Sequence, residues 1–351
     1  MRANRAMRVL ICSSQVPFVW GGAEVLVEGL RRQLAACGHQ VDVVQMPINW
    51  QKKGDLLKGY LAWRFLDLVA VEGQAVDLLI ATKVPSFVVQ HPHKVTWLIH
   101  QLRQVYDLYG TEFSPYGHHA EDQELRQIVR RADTQGLAES RKLFAISANV
   151  AARLARYNGL QAQVLYPPPL HDGRYHHQTY GDYILSVSRL NVMKRLDLLV
   201  EAMARVRSGA RCLIAGEGPE EKNLQKLARK TGAGQRIEFL GYVDDDRVLS
   251  LYANALAVYY APYDEDYGYA TVEAMKSCKP VLTTVDSGGV LEFVRDRETG
   301  LVAPVDDPAA LAAQSDELYA NRRLVGHLGA AAAERVKDIT WDAAIERLLA
   351  T

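Results

Sequence analysis

The sequence predicts an α/β fold of two doubly wound, Rossmann-like domains. Short apolar runs alternate with amphipathic helical patterns in both halves, which is typical of parallel sheets covered by helices. Between the halves, the prolines at 167–169 and the polar stretch His171–Thr179 can continue neither a helix nor a central strand, so an interdomain linker is expected there. At 351 residues the chain also exceeds one ordinary core. We therefore expect one domain over residues 1–170 and a second over residues 171–335.

The first half opens with a strand, a helix and a second strand. The apolar run Met7–Ile11 is bounded by Ser13 and Ser14, a helical pattern covers Ala23–Cys37, and Val41–Val44 restores a strand. This order implies a right-handed parallel unit. Further buried strands are expected at Asp77–Ile80, Val95–Ile99, Leu143–Ser147 and Val164–Tyr166.

The same alternation restarts after the polar stretch and predicts a second parallel sheet. Strands are expected at Tyr183–Val187, Arg211–Ala215, Arg236–Leu240, Leu256–Tyr260 and Pro280–Thr284. Helices are expected at Arg195–Arg207, Glu220–Lys230 and Asp246–Asn254. A last amphipathic helix places Trp341, Ile345 and Leu348 on one stripe.

Charge and cysteine content exclude several classes of protein. Lys plus Arg and Asp plus Glu number 41 each, so no overall field attracts nucleic acid or anionic lipid. The cysteines, at 12, 37, 212 and 278, form no CxxC pair, which favours free thiols in a reducing compartment over disulfides or a zinc site. No stretch approaches the roughly 18 apolar residues that span a bilayer. We expect a cytoplasmic protein that is soluble or at most peripheral at a membrane.

The first candidate site is Gly21-Gly22-Ala23-Glu24, which follows the first strand and opens the first helix. Glycines let a backbone approach an anion, and a helix N-terminus offers free N–H groups. An ordinary glycine turn, with Glu24 complementing the helix start, is the alternative. The segment is not GxGxxG, which counts against a nicotinamide dinucleotide.

The second candidate site is a pair of cations, Arg189 and Lys194, just past the strand Tyr183–Val187. Ligands of open parallel sheets bind outside the carboxyl ends of the strands, so both cations are placed to face a ligand. Fixed positive charge suits a leaving diphosphate. A solvated basic loop is the alternative.

The third candidate site is the segment from Tyr259 to Met275, where a strand, a loop and a helix follow one another. Glu265 lies in the loop and suits sugar hydroxyls, whereas Glu273, eight residues later on the helix, suits ribose hydroxyls. The N–H groups near Tyr269 and Thr271 are left to hold phosphate.

Together these motifs resemble the retaining, two-domain GT-B glycosyltransferases of family four, in group 1, which carry a Glu-x7-Glu signature. The resemblance spans most of the chain. It includes, besides the three sites above, Tyr166-Pro167-Pro168, Leu213 to Pro219, Phe239 to Val243, Gly288-Gly289 with Glu292, and Thr299 to Val302. It implies two Rossmann-like domains that face a central cleft, the first on the acceptor side and the second binding a nucleotide sugar, with residues 336–351 crossing back to the first domain.

The resemblance also implies roles for individual residues. Arg189 and Lys194 would stabilise the donor diphosphate, Glu265 would hold the transferred sugar, and His100 would face that sugar. The donor-binding residues would be Gly21, Gly22, Val243, Tyr267, Gly268, Tyr269, Ala270, Thr271 and Glu273, with Gly22 beside the phosphate, Val243 against the base and Glu273 on the ribose. A satisfied structural histidine at the end of a strand is the alternative for His100.

Three further features are explained by capping, solvation or packing rather than by ligand binding. The run Asp244–Asp246 precedes a helix, so capping explains it better than a metal ion does. The histidines at 91, 93, 118, 119, 176 and 177 lack the spacing of a zinc site, and we expect them in solvated loops. The helical segment Lys52–Leu68, with Leu57, Leu61 and Phe65 on one face, is expected to pack on its own domain, with weak membrane contact as the alternative.

The sequence thus predicts a metal-independent enzyme without a cofactor that transfers a hexose from a nucleotide diphosphate sugar to a hydroxyl of a glycan, lipid-linked or small-molecule acceptor. Two alternatives stay open. One is a sugar-nucleotide epimerase or hydrolase of the same fold, and the other is a non-catalytic module that binds nucleotide sugars.

Overall fold

The computed structural model describes residues 6–350. The chain forms two compact units, the first comprising Met1–Leu170 with Trp341–Thr351 and the second His171–Thr340. Residues 1–5 and 351, at the ends of the predicted domain ranges, lie outside the described residues. The first unit gives way to the second after Leu170, where the prolines and the polar stretch meet.

A parallel sheet forms the centre of unit 1, in the order β2-β1-β5-β6-β7-β8. Its strands, with the small hairpin β3–β4, are β1 (Arg8–Gln15), β2 (Gln40–Pro47), β3 (Ala70–Val71), β4 (Gln74–Ala75), β5 (Leu78–Ala81), β6 (Lys94–Leu98), β7 (Lys142–Ala145) and β8 (Gln163–Val164). Its helices before the linker are α1 (Gly22–Ala36), α2 (Lys53–Phe65), α3 (Ala120–Ala138) and α4 (Ala148–Asn158).

Strand β1 is longer than the sequence predicts. Ser13 and Ser14, expected to end the strand, lie inside it and are buried. Ser14 Oγ accepts a hydrogen bond from Trp63 Nε1 at 3.0 Å. A buried hydroxyl with a partner is tolerated in a strand, so the polar pair does not terminate the run.

Helix α2 packs on unit 1 through a face different from the predicted one. Its buried residues are Leu56, Tyr60 and Trp63. Leu61 and Phe65 of the predicted apolar face are 56% and 82% exposed. Tyr60 and Trp63 are buried because each finds a hydrogen-bond partner for its polar atom in the interior. Trp63 donates to Ser14, and Tyr60 donates to Asp133 at 2.6 Å.

The second unit has the sheet order β11-β10-β9-β12-β13-β14, with every neighbouring pair parallel. Its strands are β9 (Tyr183–Val187), β10 (Arg211–Ala215), β11 (Ile237–Gly241), β12 (Ala257–Tyr259), β13 (Val281–Thr284) and β14 (Gly300–Ala303). Its helices are α5 (Leu196–Met203), α6 (Glu221–Thr231), α7 (Asp245–Asn254), α8 (Tyr269–Lys276), α9 (Pro308–Ala320) and α10 (Arg322–Val336). Counted from β9, this is the order 3-2-1-4-5-6 of a doubly wound sheet. Both units therefore confirm the predicted fold class.

The last helix, α11 (Trp341–Leu349), belongs to unit 1. Trp341, Ile345 and Leu348 are buried, as their spacing predicts. Trp341 Nε1 donates to the carbonyl of Pro169 at 3.0 Å, and its ring meets Trp97 edge to face. Within residues 6–350, the structure contains no helix with the length and apolarity required to cross a bilayer.

Candidate active site

The candidate site of unit 2 lies where the order of its sheet reverses. Strand β9 pairs with β10 on one side and with β12 on the other. The segment after β9 carries Arg189 and Lys194, and the segment after β12 carries Glu265. In doubly wound sheets such a reversal leaves a crevice at the carboxyl ends of the strands, where ligands bind.

Lys194 and Glu265 meet at this reversal. The Lys194 ammonium is within hydrogen-bonding distance of the Glu265 carboxylate and donates to the Tyr260 hydroxyl at 2.8 Å. That hydroxyl donates in turn to Glu265 at 3.0 Å. Burial alone would lower the pKa of Lys194, but Glu265 and Tyr260 outweigh it and raise that pKa above its ordinary value. Lys194 therefore supplies the site with a fixed positive charge, and about a fifth of its side chain is exposed.

Arg195 fixes the segment that carries Lys194. The sequence predicts Arg195 as the first residue of a helix, whereas it adopts a left-handed conformation with φ 48° after the short 3-10 helix Val192–Lys194. Its guanidinium forms two bonds to Asp286, at 2.9 and 2.8 Å, and a third to Thr284 at 2.6 Å. Burial opposes the charge on Asp286, yet Arg195 holds the pKa of that carboxyl below its usual range. The helix begins one residue later because these contacts decide the conformation of Arg195.

The backbone of Glu265 is held by the segment after β13. Its N–H donates to the Ser287 carbonyl at 3.3 Å, and its carbonyl accepts from Gly289 at 2.7 Å. Gly288 adopts φ 59°, and a Cβ there would lie 2.7 Å from the Glu265 carbonyl oxygen. Only glycine fits this approach, which gives Gly288-Gly289 a role in positioning Glu265.

Gly268 sets the start of α8. It adopts φ 86°, and a Cβ would lie 2.8 Å from Tyr260 Cε1. Ala270 and Thr271 are buried in the first turn of α8, and the Thr271 hydroxyl finds no hydrogen-bond partner among the described residues. The ring of Tyr267 packs edge to face on that of Tyr269, which anchors the turn. The first-turn N–H groups of α8 are the groups the sequence assigns to phosphate.

Glu273 is hydrogen-bonded by two tyrosines. Its carboxylate accepts from the hydroxyl of Tyr252 at 2.8 Å and is also hydrogen-bonded by Tyr175. Burial raises the pKa of Glu273, and the two hydroxyls act against that rise. Tyr175 lies in the stretch that the sequence predicts as a linker, so no local signal identifies it.

Arg189 and Val243 differ in their surroundings. Arg189 is exposed, and its guanidinium has no ion-pair partner within residues 6–350. It is thus available to an anion. Val243 follows β11 and is partly exposed, between the exposed Tyr242 and Asp244.

The glycines predicted to bind the donor in unit 1 follow β1, whose neighbours β2 and β5 mark the reversal of that sheet. Gly21 caps α1, and its N–H donates to the side chain of Glu24 at 3.0 Å. Glu24 is buried and pairs with Lys83 at 2.9 Å, a residue the sequence does not identify. Gly22 is exposed at the first turn of the helix. Glu24 thus complements the helix start, while the Gly22 backbone stays accessible.

His100 follows β6, at the carboxyl end of the first sheet. It is partly exposed, and its Nδ1 lies 2.7 Å from the carbonyl oxygen of Gln101. A proton on Nδ1 places the lone pair of the ring on Nε2.

The acidic and histidine-rich stretches have structural surroundings. Asp244 caps α7, its side chain accepting from the N–H of Arg247 at 2.8 Å. Groups of three or more His, Cys, Asp or Glu side chains that could hold a metal do not occur within residues 6–350. The expectation of solvation is wrong for His91, which is 8% exposed, because its Nδ1 accepts from the N–H of His93 in a folded turn.

Comparison with known proteins matches the second unit to a family. Residues 173–335 match the family model of glycosyl transferases group 1. The putative glycosyltransferase EpsD of Bacillus subtilis is 32% identical over 152 residues, which cover 42% of this chain and 39% of EpsD. Alignments to the first three curated relatives cover only 33% to 40% of those proteins.

Solved structures match over nearly the whole chain. Sucrose-phosphate synthase from Thermosynechococcus elongatus superposes with a TM-score of 0.78 at 20% identity, covering 97% of each chain. The Anabaena protein HepE, in complex with UDP and glucose, has a TM-score of 0.72 at 17% identity, covering 97% of this chain and 98% of its own. The chain therefore has the GT-B fold, and its residues 173–335 carry the sequence pattern of the group 1 glycosyltransferases.

Proposed function

We propose that this chain is a retaining glycosyltransferase that moves a hexose from a nucleoside diphosphate sugar to an acceptor hydroxyl. One observation carries the proposal. At the reversal of a doubly wound sheet, a charged lysine is held on a carboxylate and on Tyr260, whose ring lies against Gly268 at the start of α8. The match to group 1 glycosyltransferases supports it.

The donor diphosphate is assigned to Lys194, Arg189 and the first turn of α8. Breaking the bond from the anomeric carbon to the diphosphate leaves an added negative charge on the leaving oxygen. A lysine already held in place stabilises that charge without reorganisation. Arg189, exposed and unpaired within the described residues, supplies a second cation.

The sugars of the donor are assigned to the two glutamates. Glu265 accepts hydrogen bonds from hydroxyls of the transferred hexose, next to the diphosphate, because its carboxylate lies against Lys194. Glu273 binds the ribose with its carboxylate, which the hydroxyls of Tyr252 and Tyr175 hold in position. Tyr267, Gly268, Tyr269, Ala270 and Thr271 form the turn that holds the phosphates, and Val243 contacts the base.

Unit 1 is assigned the acceptor side. His100 faces the hexose, and Gly21 and Gly22 offer backbone to the donor phosphate. The acceptor oxygen forms its bond to the anomeric carbon on the face from which the diphosphate leaves. A donor phosphate oxygen takes the acceptor proton, so no protein base is needed. Attack on the face that the diphosphate leaves retains the anomeric configuration without a protein nucleophile.

The reaction is proposed to need neither metal nor cofactor, because Lys194 and Arg189 carry the charge that a divalent cation would otherwise supply. Free thiols at Cys12, Cys37, Cys212 and Cys278 support a cytoplasmic location. The acceptor is a glycan, a lipid-linked sugar or a small molecule, in polysaccharide or glycoconjugate biosynthesis. The UDP and glucose of the HepE complex support a nucleotide-sugar donor.

The test begins with a thermal-shift screen of UDP-, GDP- and ADP-sugars, since a ligand of the folded state raises the Tm. The donor so found is then labelled in its sugar and incubated with candidate acceptors, with and without EDTA. Transfer in EDTA is expected. Free sugar or an epimerised donor formed without acceptor would instead identify a hydrolase or epimerase, and binding without turnover a binding module.

Variants of the site residues then test whether transfer depends on this site. Arg189→Ala, Lys194→Ala and Glu265→Ala are each expected to lose transfer by about 10²-fold or more, the typical effect of removing one charge-stabilising group. Arg229→Ala, an exposed arginine on α6, is the matched control. Full activity in all three variants would rule the assignment out.

A further inference from the structure

A groove on unit 1 lies outside the residues assigned to the donor. It has a volume of about 820 Å³ and runs along α3, between the segment before that helix and the end of α4. We call it the α3 groove and define it by Tyr109, His118, Arg126, Arg130, Arg131 and Tyr157. Its volume falls within the range of small-molecule sites.

The α3 groove is positively charged, and no acidic side chain among its described lining residues balances that charge. Arg126, Arg130 and Arg131 follow one another on α3 at a spacing that places the first two on one face. The described residues that line the groove include no Asp or Glu. Within residues 6–350, no ion pair involves any of the three arginines.

Two of the arginines are held in place by neutral groups. Arg126 donates from Nε to the Val105 carbonyl at 3.0 Å, and its guanidinium lies 4.4 Å from the centre of the Tyr109 ring. Arg130 donates to the carbonyl of Tyr157 at 2.6 Å and lies 5.5 Å from that ring. A basic face that only solubilises a helix needs no such fixation, whereas a binding site gains from it because less side-chain freedom is lost when a ligand arrives.

The remaining N–H groups of these guanidinium groups suit an oxyanion. Arg126 and Arg130 each use part of their donor set on a carbonyl, and Arg131 is exposed beside them. The planar guanidinium group matches the oxygens of a phosphate, and each such bond is charge-assisted. The tyrosine rings of the α3 groove add flat apolar surface next to the charge.

We propose that the α3 groove is a second anion site, which binds a phosphate group. Two carriers share this chemistry, a sugar phosphate in solution and the headgroup of an anionic phospholipid. The second carrier has local support, because the neighbouring depression is lined by Leu61 and Ile128, whose side chains are 56% and 43% exposed. Gln135 lines both the depression and the α3 groove, so the two adjoin. The site is independent of the transfer proposed above.

The test measures binding to the full chain with two probes. Glucose 6-phosphate is titrated by calorimetry, and sedimentation is followed with vesicles of phosphatidylcholine containing phosphatidylglycerol. Arg126→Gln and Arg131→Gln are each expected to weaken binding of the effective probe about tenfold, the loss of one charge-assisted bond. Because Arg131 is exposed, its variant keeps the test valid if Arg126→Gln folds poorly. Arg229→Gln is the matched control, and Lys194→Gln tests whether the probe occupies the donor site instead.

Each outcome either supports or overturns the proposed phosphate site. Binding of glucose 6-phosphate that depends on Arg126 and Arg131 supports the α3 groove with a soluble carrier. Vesicle binding that depends on them, and that also falls in Leu61→Ser, supports it with a lipid carrier. The proposal is overturned if wild type binds neither probe, or if binding follows Lys194 and ignores the two arginines.

Discussion

Lys194 lies directly against Glu265, although 71 residues separate the two in the sequence. They follow β9 and β12, which are neighbours in the sheet of unit 2. The carboxyl ends of parallel neighbours meet at one edge, so this topology brings the pair together. The Glu265 carboxylate therefore partly neutralises the charge of the lysine that is assigned to the diphosphate.

Glu265→Gln should therefore separate nucleotide binding from transfer. Without the carboxylate charge, Lys194 can pair with the incoming diphosphate. The diphosphate also no longer meets the negative charge of Glu265. We expect the free nucleoside diphosphate to bind about tenfold more tightly, while transfer falls by about 10²-fold because a sugar contact is lost. Calorimetry with the nucleotide and a turnover assay check the two effects.

Lys194→Gln is the counterpart of that variant. It should weaken nucleotide binding and transfer together, because the positive charge itself is lost. If Glu265→Gln also weakens nucleotide binding, then the carboxylate does not compete for Lys194.

Gly268→Ala should disrupt the start of α8. A left-handed conformation costs an alanine about 1 to 2 kcal/mol, and its Cβ would meet the Tyr260 ring at 2.8 Å. Since Tyr260 contacts both Lys194 and Glu265, we expect a lower Tm and weaker donor binding. Gly234→Ala, whose Cβ would find only an ordinary contact at 3.7 Å, is the control and should change neither.

The sequence predicts the position in the fold of three residues of the proposed site. Arg189, Lys194 and Glu265 follow buried strands, and the predicted strands Tyr183–Val187 and Arg211–Ala215 have the bounds observed for β9 and β10. An apolar run bounded by turn residues is a strong local signal, and the carboxyl ends of parallel strands converge in any such sheet.

Residues that act through a distant contact escaped prediction. Arg195 bonds Asp286 across 91 residues, and Tyr175 bonds Glu273 from a stretch whose composition indicates a linker. Nothing near either residue in the sequence encodes its partner. The face that α2 buries was missed for the same reason, since Asp133 and Ser14, the partners of Tyr60 and Trp63, lie on other elements.

Arg195→Ala should destabilise unit 2. It leaves Asp286, whose side chain is 22% exposed, without its cation, and breaking such a pair costs about 3 kcal/mol. Denaturant unfolding should show this loss, and Arg195→Ala with Asp286→Ala should cost less than the sum of the single variants. Arg211→Ala breaks an exposed pair with Asp182 and should cost less than about 1 kcal/mol. Equal losses in Arg195→Ala and Arg211→Ala would contradict a structural role for the Asp286 pair.

Asp133 should give unit 1 a stability that falls as the pH rises. Burial raises the pKa of its carboxyl to about 7, against the hydrogen bonds from Tyr60 and Tyr106, whereas the unfolded value is about 4. The folded state therefore binds the proton more tightly. Its contribution is fully present below about pH 4 and is lost as the pH rises to about 7.

The measurement is the free energy of unfolding of wild type minus that of Asp133→Asn, as a function of pH. This difference should fall between about pH 4 and 7 and be flat above that range. Asp182→Asn should give a difference of opposite slope at acidic pH, because Arg211 lowers the pKa of Asp182. A flat difference for Asp133 across the whole range would refute the prediction.

Gly29→Ala should destabilise unit 1 by overpacking α1 against α11. A Cβ at Gly29 would lie 2.2 Å from Trp341 Cζ2, and a buried clash of this kind costs about 1 to 3 kcal/mol. Trp341→Phe removes the ring atoms that clash and also the Nε1 bond to Pro169, so it is destabilising alone. In the double variant the clash is absent, and its cost should be lower than the sum by about 1 kcal/mol or more. Gly326→Ala, on α10 with the nearest contact at 3.8 Å, is the control and should be neutral or stabilising. Additive costs in the Gly29 and Trp341 cycle would mean that the two residues do not press on each other in solution.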